Sequence, residues 1–556
     1  MKDYITIIGG GLAGCEAAYQ IAKKGIKVKL YEMKPDKFSP AHSNKDLAEI
    51  VCSNSFKSNL MTNACGLLKE ELRTLDSLLI KIADETNVPA GQALAVDREE
   101  FSKKVTKEIE NNPLIEVIRK EIRSKFDDCN YQNSNNSEGY NNNKSNNEKT
   151  DIDLKENQDV IFFEDLLEDG IVIIATGPLT SDSLSKGIQN LTGTDGLHFY
   201  DAEAPIIEKD SIDFSIAFYG NRYDQEKGKD ETLEEWHKRI DQYNNNELDR
   251  LKQKNICSSA NEENTENIKN NSYINLPMNK EEYEKFYNEL VNADVVVLHD
   301  FEKREIFEGC MPVEVMAKRG IDTLRFGPLK PVGFDDPRTG KRPYAIIQLR
   351  QDNAEASLYN IVGFQTNLKF GEQKRVFSMI PGLENAEFVK YGVMHRNTFI
   401  NSSKLLDNTY NLKMHNLKAK KGQNDFENCN DINRDIKSEN QSSNIYFAGQ
   451  ITGVEGYVES ISSGMIAGLN AANKYLSKIV NEKIYGGDNV EEEKIIFSDE
   501  TMIGALAKYI STPNKNFEPM NANYGILPPL KENIKDKKLK YQKLSSRAIE
   551  LIKNHN

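Results

Sequence analysis

Tyr4-Ile5-Thr6-Ile7-Ile8-Gly9-Gly10-Gly11-Leu12-Ala13-Gly14, continued through Cys15–Lys24 and Gly25 to Ile26–Glu32, is the stretch that decides the fold of this chain. A short apolar strand runs into glycines with the G-x-G-x-x-G spacing, and a helical stretch with small residues Ala17, Ala18 and Ala22 comes next. Gly25 can stop that helix, Ile26 to Tyr31 alternate as a second strand, and Glu32 stands at its end. Gly9 permits the tight turn, Gly11 lets the backbone approach a pyrophosphate, and Gly14 lets helix and strand pack closely. The N–H groups that open the helix, over Gly10, Leu12 and Ala13, attract phosphates. Glu32 is placed to accept hydrogen bonds from a ribose hydroxyl. The ordered set of strand, glycines, helix, strand and acid predicts an ADP-containing cofactor. It leaves FAD and NAD both open.

A length of 556 residues predicts three to four domain-sized units, at about 150 residues each. Low-complexity filler lowers that number. Residues 129–147 contain nine Asn in nineteen positions, too few apolar groups to repay the entropy of ordering. This insertion extends over about 127–158, and two more run over 242–272 and 406–443; all three read as disordered surface loops without chemistry. The chain has no run of eighteen apolar residues, so no membrane span is expected. It opens on a strand, so no signal peptide is expected. Seven cysteines without framework spacing fit free thiols in a reducing compartment, and a cytoplasmic location is expected. The seven histidines are scattered and no Cys-x-x-Cys or His-x-x-x-His pair occurs, so no metal is expected.

The formal charge of −14 is unevenly placed. Residues 127–165 hold ten acids against three bases, and 224–272 hold twelve against eight. Residues 301–350 reverse the balance, with ten bases against seven acids. Phosphate contacts respond to local charge, so the acidic total neither supports nor excludes an RNA partner.

Further along, Lys69 to Ala83 carries Leu72, Leu75, Leu79 and Ile82 at helical spacing. Gly170 to Gly177 is a buried strand ending in Ala-Thr-Gly, and Asn444 to Gln450 is a strand entering a glycine-rich loop with Gly449, Gly453 and Gly456. From about Val458 a late helix carries Ser460, Gly464 and Gly468 four apart, which lets its backbone lie close to a neighbour. Its N-terminus is a source of positive potential. A late strand, loop and helix returning to an N-terminal dinucleotide unit is the architecture of large FAD folds, and NAD-only folds do not require it. The expected fold class is therefore α/β: a Rossmann-like FAD-binding domain with an inserted smaller α+β domain. The expected division is 1–195 and 327–480 for the FAD-binding domain, 196–326 for the inserted substrate domain, and 481–556 for a C-terminal helical segment. Tyr344–Arg350, Leu358–Gly363 and Phe388–Met394 are expected as antiparallel strands returning to the cofactor domain.

Two thiols have suggestive settings. Ile50-Val51-Cys52-Ser53-Asn54-Ser55 puts Cys52 in a polar turn before an expected helix, where a thiol gains thiolate character. Phe307-Glu308-Gly309-Cys310-Met311-Pro312 holds Cys310 beside Lys303, Arg304, Lys318 and Arg319, again favouring thiolate. Cys15 and Cys65 read as small buried hydrophobes, and Cys129, Cys257 and Cys429 lie in or beside the insertions.

Gly9–Ala18, Val51–Ser55, Pro89–Arg98, Phe307–Gly320, Phe326–Gln351, Gly363–Gln365, Gly382–Ile400 and Phe447–Gly468 closely resemble the folate- and FAD-dependent tRNA (uracil-5-)-methyltransferases of bacteria. The resemblance covers nearly the whole chain outside the Asn-rich insertions. The larger flavoprotein family that builds carboxymethylaminomethyl-uridine shares the Gly9–Ala18 start but resembles this chain less in its Phe-Glu-Gly-Cys-Met-Pro and Lys-Arg-Pro-Tyr-Ala regions. One departure is Asn275-Leu276-Pro277-Met278, where the methyltransferase family usually carries Asn-Cys-Pro-Met.

The resemblance implies that 5,10-methylenetetrahydrofolate supplies carbon to C5 of uridine-54 in the tRNA T-loop, forming ribothymidine, with reduced FAD as hydride donor and NAD(P)H as reductant. It implies Cys310 as nucleophile and Cys52, beside the flavin, as general base. The chemistry needs such a pair: uracil C5 is a poor nucleophile until a thiolate adds to C6 and makes an enolate at C5. An ordinary thiol, with a pKa of about 8.5, leaves a few per cent thiolate at neutral pH, so modest tuning suffices. The T-loop base is buried in tRNA and must be flipped out. Lys330, Arg338, Lys341, Arg342, Arg350 and Arg396 are the candidates for phosphate contacts. Two other readings stand beside this one. A small-molecule flavin reductase would relay electrons through thiols, and a flavin-bearing RNA-binding protein would perform no chemistry.

Overall fold

The computed structural model describes residues 2–126, 160–168, 170–194, 197–220, 222, 273–296, 311–413, 443–481 and 492–554. The opening strand Tyr4–Ile8 lies at the centre of a five-stranded sheet. Its order is Ile445–Phe447, Val172–Ile174, Tyr4–Ile8, Lys27–Glu32 and Ile115–Arg119. All neighbours are parallel. Ile5, Ile7, Val172, Ile173 and Ile174 are fully buried, which is why these strands read as apolar runs rather than alternating ones. The chain leaves Tyr4–Ile8 towards Lys27–Glu32 and Ile115–Arg119 on one side, and Val172–Ile174 and Ile445–Phe447 are added on the other. The switch in strand order therefore falls at the C-terminal end of Tyr4–Ile8, where open α/β sheets bind their ligands.

The late helix Tyr457–Val480 packs against the first helix, Leu12–Lys23. A Cβ on Gly464 would stand 2.3 Å from the Ala13 carbonyl oxygen, and one on Gly468 would stand 2.9 Å from Ala17 Cα. The small-residue ladder of the sequence is thus what lets these two backbones touch. The helical spacing over 69–83 resolves differently. Two helices, Ala64–Thr74 and Leu78–Glu85, meet at a break where Asp76 adopts φ +59° and Ser77 caps the second by accepting from Ile80 N. A capping serine after a left-handed residue outweighs the continuous leucine periodicity.

A second unit is built on a six-stranded antiparallel sheet. Its order is Phe218–Gly220, Tyr273–Met278, Ala345–Gln351, Leu358–Ile361, Ile206–Glu208 and Phe388–Lys390. Helices Lys280–Asn292, Val313–Lys318 and Phe370–Phe377 share its core through Tyr283, Phe286, Val313 and Phe377. The strands within 344–390 pair here and not with the parallel sheet: Ile347 stands opposite Leu276 and Leu349 opposite Ile274. Their apolar residues complete the second core. The ladder of Leu197–Ala202 with Met394–Phe399 carries the chain between the two units. The architecture is therefore α/β, a Rossmann-like unit with a smaller α+β unit inserted.

The carboxyl-terminal helices pack on the first unit. Glu71 receives Met502 N and Ile503 N at 2.7 and 2.8 Å, capping Met502–Ser511, and Ser545 of Lys537–Lys553 donates to the Met61 carbonyl. Among the described residues no helix is long and apolar enough to cross a membrane.

Candidate functional site

At the switch point lies an open cleft lined by Ile8, Gly9, Tyr31, Glu32, Thr176 and Thr180 among others. The glycines around it differ in what constrains them. Gly9 has φ +107°, and a Cβ there would sit 2.4 Å from the Ala175 carbonyl oxygen. A Cβ on Gly14 would sit 1.9 Å from the Gly9 oxygen. Gly11 is neither crowded nor in the left-handed region, and a Cβ there would meet nothing within 4 Å. Packing demands glycine at positions 9 and 14. The open side of Gly11 is where a pyrophosphate can approach the backbone. Gly11 supplies no side-chain cap to the helix opened by Leu12 and Ala13, leaving first-turn N–H groups as donors to an anion. The residues present thus fit the ADP portion of FAD.

Glu32 is buried at the cleft edge. Its Oε2 accepts from Gly10 N at 2.9 Å and its Oε1 from Lys34 N at 3.0 Å, fixing the carboxylate while each oxygen keeps a further lone pair. On the late side, Gly449 N donates to Ser463 Oγ at 2.7 Å. Gly453 lies against Phe517, and Gly456 at φ +123° turns the chain into the helix at Tyr457.

Cys52 sits at the start of that helix. The element after it in the chain is the strand Ser55–Ser58 and not a helix, so the setting expected from the sequence is replaced by another. Tyr457 hydroxyl accepts from both Cys52 N and Ser53 N at 3.1 Å. Arg98, at the head of the helix Arg98–Glu110, donates to the Ile50 and Val51 carbonyls at 3.3 and 2.8 Å. From the second unit, Arg350 Nε donates to Asn54 Oδ1 at 2.9 Å and Arg350 Nη2 to Ser53 Oγ at 2.7 Å. Asn54 is fully buried and donates to the Val96 and Gln351 carbonyls at 3.0 and 2.9 Å. Asp352 pairs with Arg98 Nε at 3.1 Å, and Ala354 N donates to Asp97 Oδ2. The turn holding Cys52 is therefore fixed from the late helix, the first unit and the second unit together.

Burial works against the Arg98 charge, but Asp352 beside it holds the guanidinium above its ordinary pKa. Arg350 goes the other way, lowered first by burial, with the neighbouring Arg98 adding to the shift. Cys15 is fully buried, pushed up by burial, and donates to the Gly10 carbonyl. Burial and the nearby Glu459 push the Cys65 thiol up to about 11. Both behave as core thiols. Leu276, at the position where the resembling family carries a cysteine, is fully buried in the second core.

The remaining candidates are dispersed. Cys310, with Lys303 and Arg304, lies outside the described residues, as do Cys129, Cys257 and Cys429. Arg338 forms a close pair with Asp336 on the turn bridged by Asp336 and Lys341, which also carries the exposed Lys341 and Arg342. Lys330 is half-buried nearby in sequence. Arg396 lies in the ladder opposite Tyr200, and its side chain is outside the described ones. Arg350 is not on the surface, and its donors are turned to the Cys52 turn. Sequence reasoning missed Arg98, Asn54, Tyr457 and Asp352 as parts of the site. Arg98, Asn54 and Tyr457 all lie in segments that carry the resemblance, and that was the available signal.

A protein-family model described as glucose inhibited division protein A matches residues 4–261, 250–423 and 419–479. The methylenetetrahydrofolate--tRNA-(uracil-5-)-methyltransferase TrmFO of Acetivibrio thermocellus is 48% identical over 556 residues, which is 100% of this chain and 99% of that protein. Its namesake in Fusobacterium nucleatum is 46% identical over 554 residues, 100% of this chain and 99% of that one. Among solved structures, Aquifex aeolicus GidA in its form II crystal has a TM-score of 0.55 at 15% identity, covering 99% of this chain and 73% of that chain. That likeness is one of fold.

Proposed function

The chain belongs to the TrmFO family of methylenetetrahydrofolate--tRNA-(uracil-5-)-methyltransferases, within the wider family described as glucose inhibited division protein A, and from that premise we propose that it methylates C5 of the T-loop uridine of tRNA. The observation that carries this reading is 48% identity sustained over the whole chain. The Cys52 turn, held at the mouth of the late helix, supports it from the structural side.

In this reading Cys310 is the nucleophile, assigned from the Phe307–Gly320 segment. Its thiolate adds to uracil C6, and the resulting C5 enolate attacks the methylene carbon of 5,10-methylenetetrahydrofolate. Cys52 acts as general base and takes the C5 proton, while tetrahydrofolate leaves. Gly9–Gly14, Glu32 and the Gly449–Gly456 loop would hold FAD, which, when bound and reduced by NAD(P)H, would supply the hydride that completes the methyl group. Release of Cys310 from C6 restores the aromatic ring and the free thiol.

The chain's own residues do the rest. Leu12 and Ala13 offer N–H groups to the cofactor phosphates, and Glu32, which accepts from Gly10 N, orients a ribose. The six-stranded unit receives tRNA, with Lys330, Lys341 and Arg342 as phosphate contacts and Arg338 beside them. We place the protein in the cytoplasm, where its tRNA substrate is.

Trapping with a tRNA carrying 5-fluorouridine tests the reading. Fluorine cannot leave as a proton, so the wild-type protein is expected to accumulate a covalent adduct, and Cys310→Ala none. An adduct formed by Cys310→Ala would remove the nucleophile assignment. Rapid thiol–disulfide turnover driven by NAD(P)H, independent of folate and RNA, would favour the reductase instead.

A further inference from the structure

We propose that Arg350 is a positioning residue for Cys52: it holds the Ser53–Asn54 pair from the second unit and supplies the surplus positive charge that keeps the adjoining thiol reactive. The inference rests on the reading of Cys52 as a working thiol.

The geometry is particular to a guanidinium. Two nitrogens on one edge of Arg350 are both used, Nε on Asn54 Oδ1 at 2.9 Å and Nη2 on Ser53 Oγ at 2.7 Å. A planar fork meets two adjacent acceptors at once, and a lysine ammonium on its flexible stem does not. The acceptor atoms belong to the two residues just after Cys52. With Arg98 on the two carbonyls before Cys52 and Tyr457 on the two N–H groups, Arg350 completes a three-sided clamp. Rigid support of this kind is what holds a reactive group in a productive pose.

The charge is unusual as well. Arg350 is only 8% exposed. Among the described residues, no carboxylate lies within ion-pair distance of it. Asp352 is engaged with Arg98, and Glu203 stands 2.8 Å from Lys390. Among the described residues, the charged and titratable groups that act on Arg98 and Arg350 include these two arginines themselves, Asp352, Glu203, Tyr273 and Tyr457. Lys57, further along, is directed to Glu459. A buried guanidinium that must share its neighbouring carboxylate, Asp352, with Arg98 is costly unless a further anion forms beside it. A thiolate at residue 52 is such an anion, and positive surroundings favour it. Burial already lowers the Arg350 pKa, so the site bears a cost that an anion nearby would relieve.

The test uses the full-length, FAD-loaded protein. Cys52 alkylation by iodoacetamide is monitored by peptide mass mapping from about pH 6 to about pH 9.5, which spans the ordinary thiol range. In R350M the midpoint is expected to rise by about one unit, with alkylation near neutral pH about tenfold slower. Flavin content and melting temperature establish that the variant is folded. An unshifted midpoint in folded R350M overturns the proposal. Should R350M not fold, R350K decides: kcat for methyl transfer falls about tenfold while KM for tRNA is unchanged. A raised KM for tRNA with kcat unchanged would overturn the proposal and make Arg350 a phosphate contact. Cys52→Ala separates the two levels. Undiminished methyl transfer by that variant removes the reading beneath, whatever Arg350 does to the alkylation midpoint.

Discussion

Substituting Gly464 by alanine probes the joint on which the cofactor cradle depends. The added Cβ would stand 2.3 Å from the Ala13 oxygen, 2.8 Å from Ala13 Cα and 2.9 Å from Ala13 C. Carbon–oxygen contacts between packed backbones settle at about 3.3 Å or more, so the two helices must separate locally by about 1 Å. Every clashing atom is backbone, so no rotamer change relieves the overlap. Overpacking of this kind costs about 1–3 kcal/mol, and rigid neighbours put it at the upper end. Alanine returns about 1 kcal/mol of helix propensity, leaving a net loss of about 2 kcal/mol. Ala13 belongs to the turn that faces the cofactor phosphates, so an outward shift of the late helix also loosens that turn. Gly464→Ala is therefore expected to lower the urea midpoint and to weaken FAD binding about tenfold or more. Gly371→Ala is the matched control, because a Cβ there meets nothing within 4 Å and the residue lies in the helix Phe370–Phe377. It should be neutral or stabilising by up to about 1 kcal/mol. Urea unfolding and flavin absorbance after gel filtration read both effects. A Gly464→Ala protein as stable as its parent, with unchanged flavin content, would mean that the two helices do not depend on backbone contact at this position.

Gly11→Ala and Gly14→Ala separate cofactor space from packing space. The first should change stability by no more than about 0.5 kcal/mol yet release flavin, whereas the second should cost about 3 kcal/mol or more in calorimetry even without flavin. Asn54→Ala removes one acceptor and two donors from a buried junction. It should lower unfolding free energy by about 2–4 kcal/mol, and a loss under 1 kcal/mol would mean the junction is wet. Lys69 donates to the Phe56 and Ser58 carbonyls, and burial holds its ammonium at about 8, below the ordinary 10.5. Between those values the unfolded chain binds a proton that the folded chain does not, so stability rises with pH across the window. The difference between wild type and Lys69→Met should grow in favour of wild type by about 1–3 kcal/mol from pH 8 to 10.5 in urea titrations. A flat difference would mean that Lys69 titrates normally.

The opening unit was legible because its signals are local. The strand, glycines, helix and Glu32 lie within 32 consecutive residues, and each residue type answers one steric demand. The ladder Ser460, Gly464, Gly468 also announced a close helix–helix contact, though not its partner, since nothing in it specifies Ala13 and Ala17. The Cys52 turn was visible only as a cysteine in a polar loop. Its defining contacts come from afar: Tyr457 is 405 residues away from Cys52, and Arg350 is 297 from Ser53. Arg350 read as a surface cation because charge alone cannot tell a phosphate contact from a buried clamp. The strands within 344–390 read correctly as antiparallel, but their partners, Tyr273–Met278 for Ala345–Gln351 and Ile206–Glu208 for the other two, lie far earlier in the chain. The break at Asp76–Ser77 shows the limit of periodicity, since leucines at helical spacing persist through a capped interruption.

Tracing the transferred carbon puts the proposed reaction to its hardest trial. Purified protein loaded with FAD is incubated with unmodified tRNA, NADPH and 5,10-methylenetetrahydrofolate carrying a ¹³C methylene, and the nucleosides are resolved by mass spectrometry. The expected product is 5-methyluridine enriched in ¹³C, confined to the T-loop and dependent on both folate and reductant. Unlabelled 5-methyluridine formed from S-adenosylmethionine, or labelled tRNA with no 5-methyluridine at the T-loop position, would be incompatible with folate-dependent methylation by this protein.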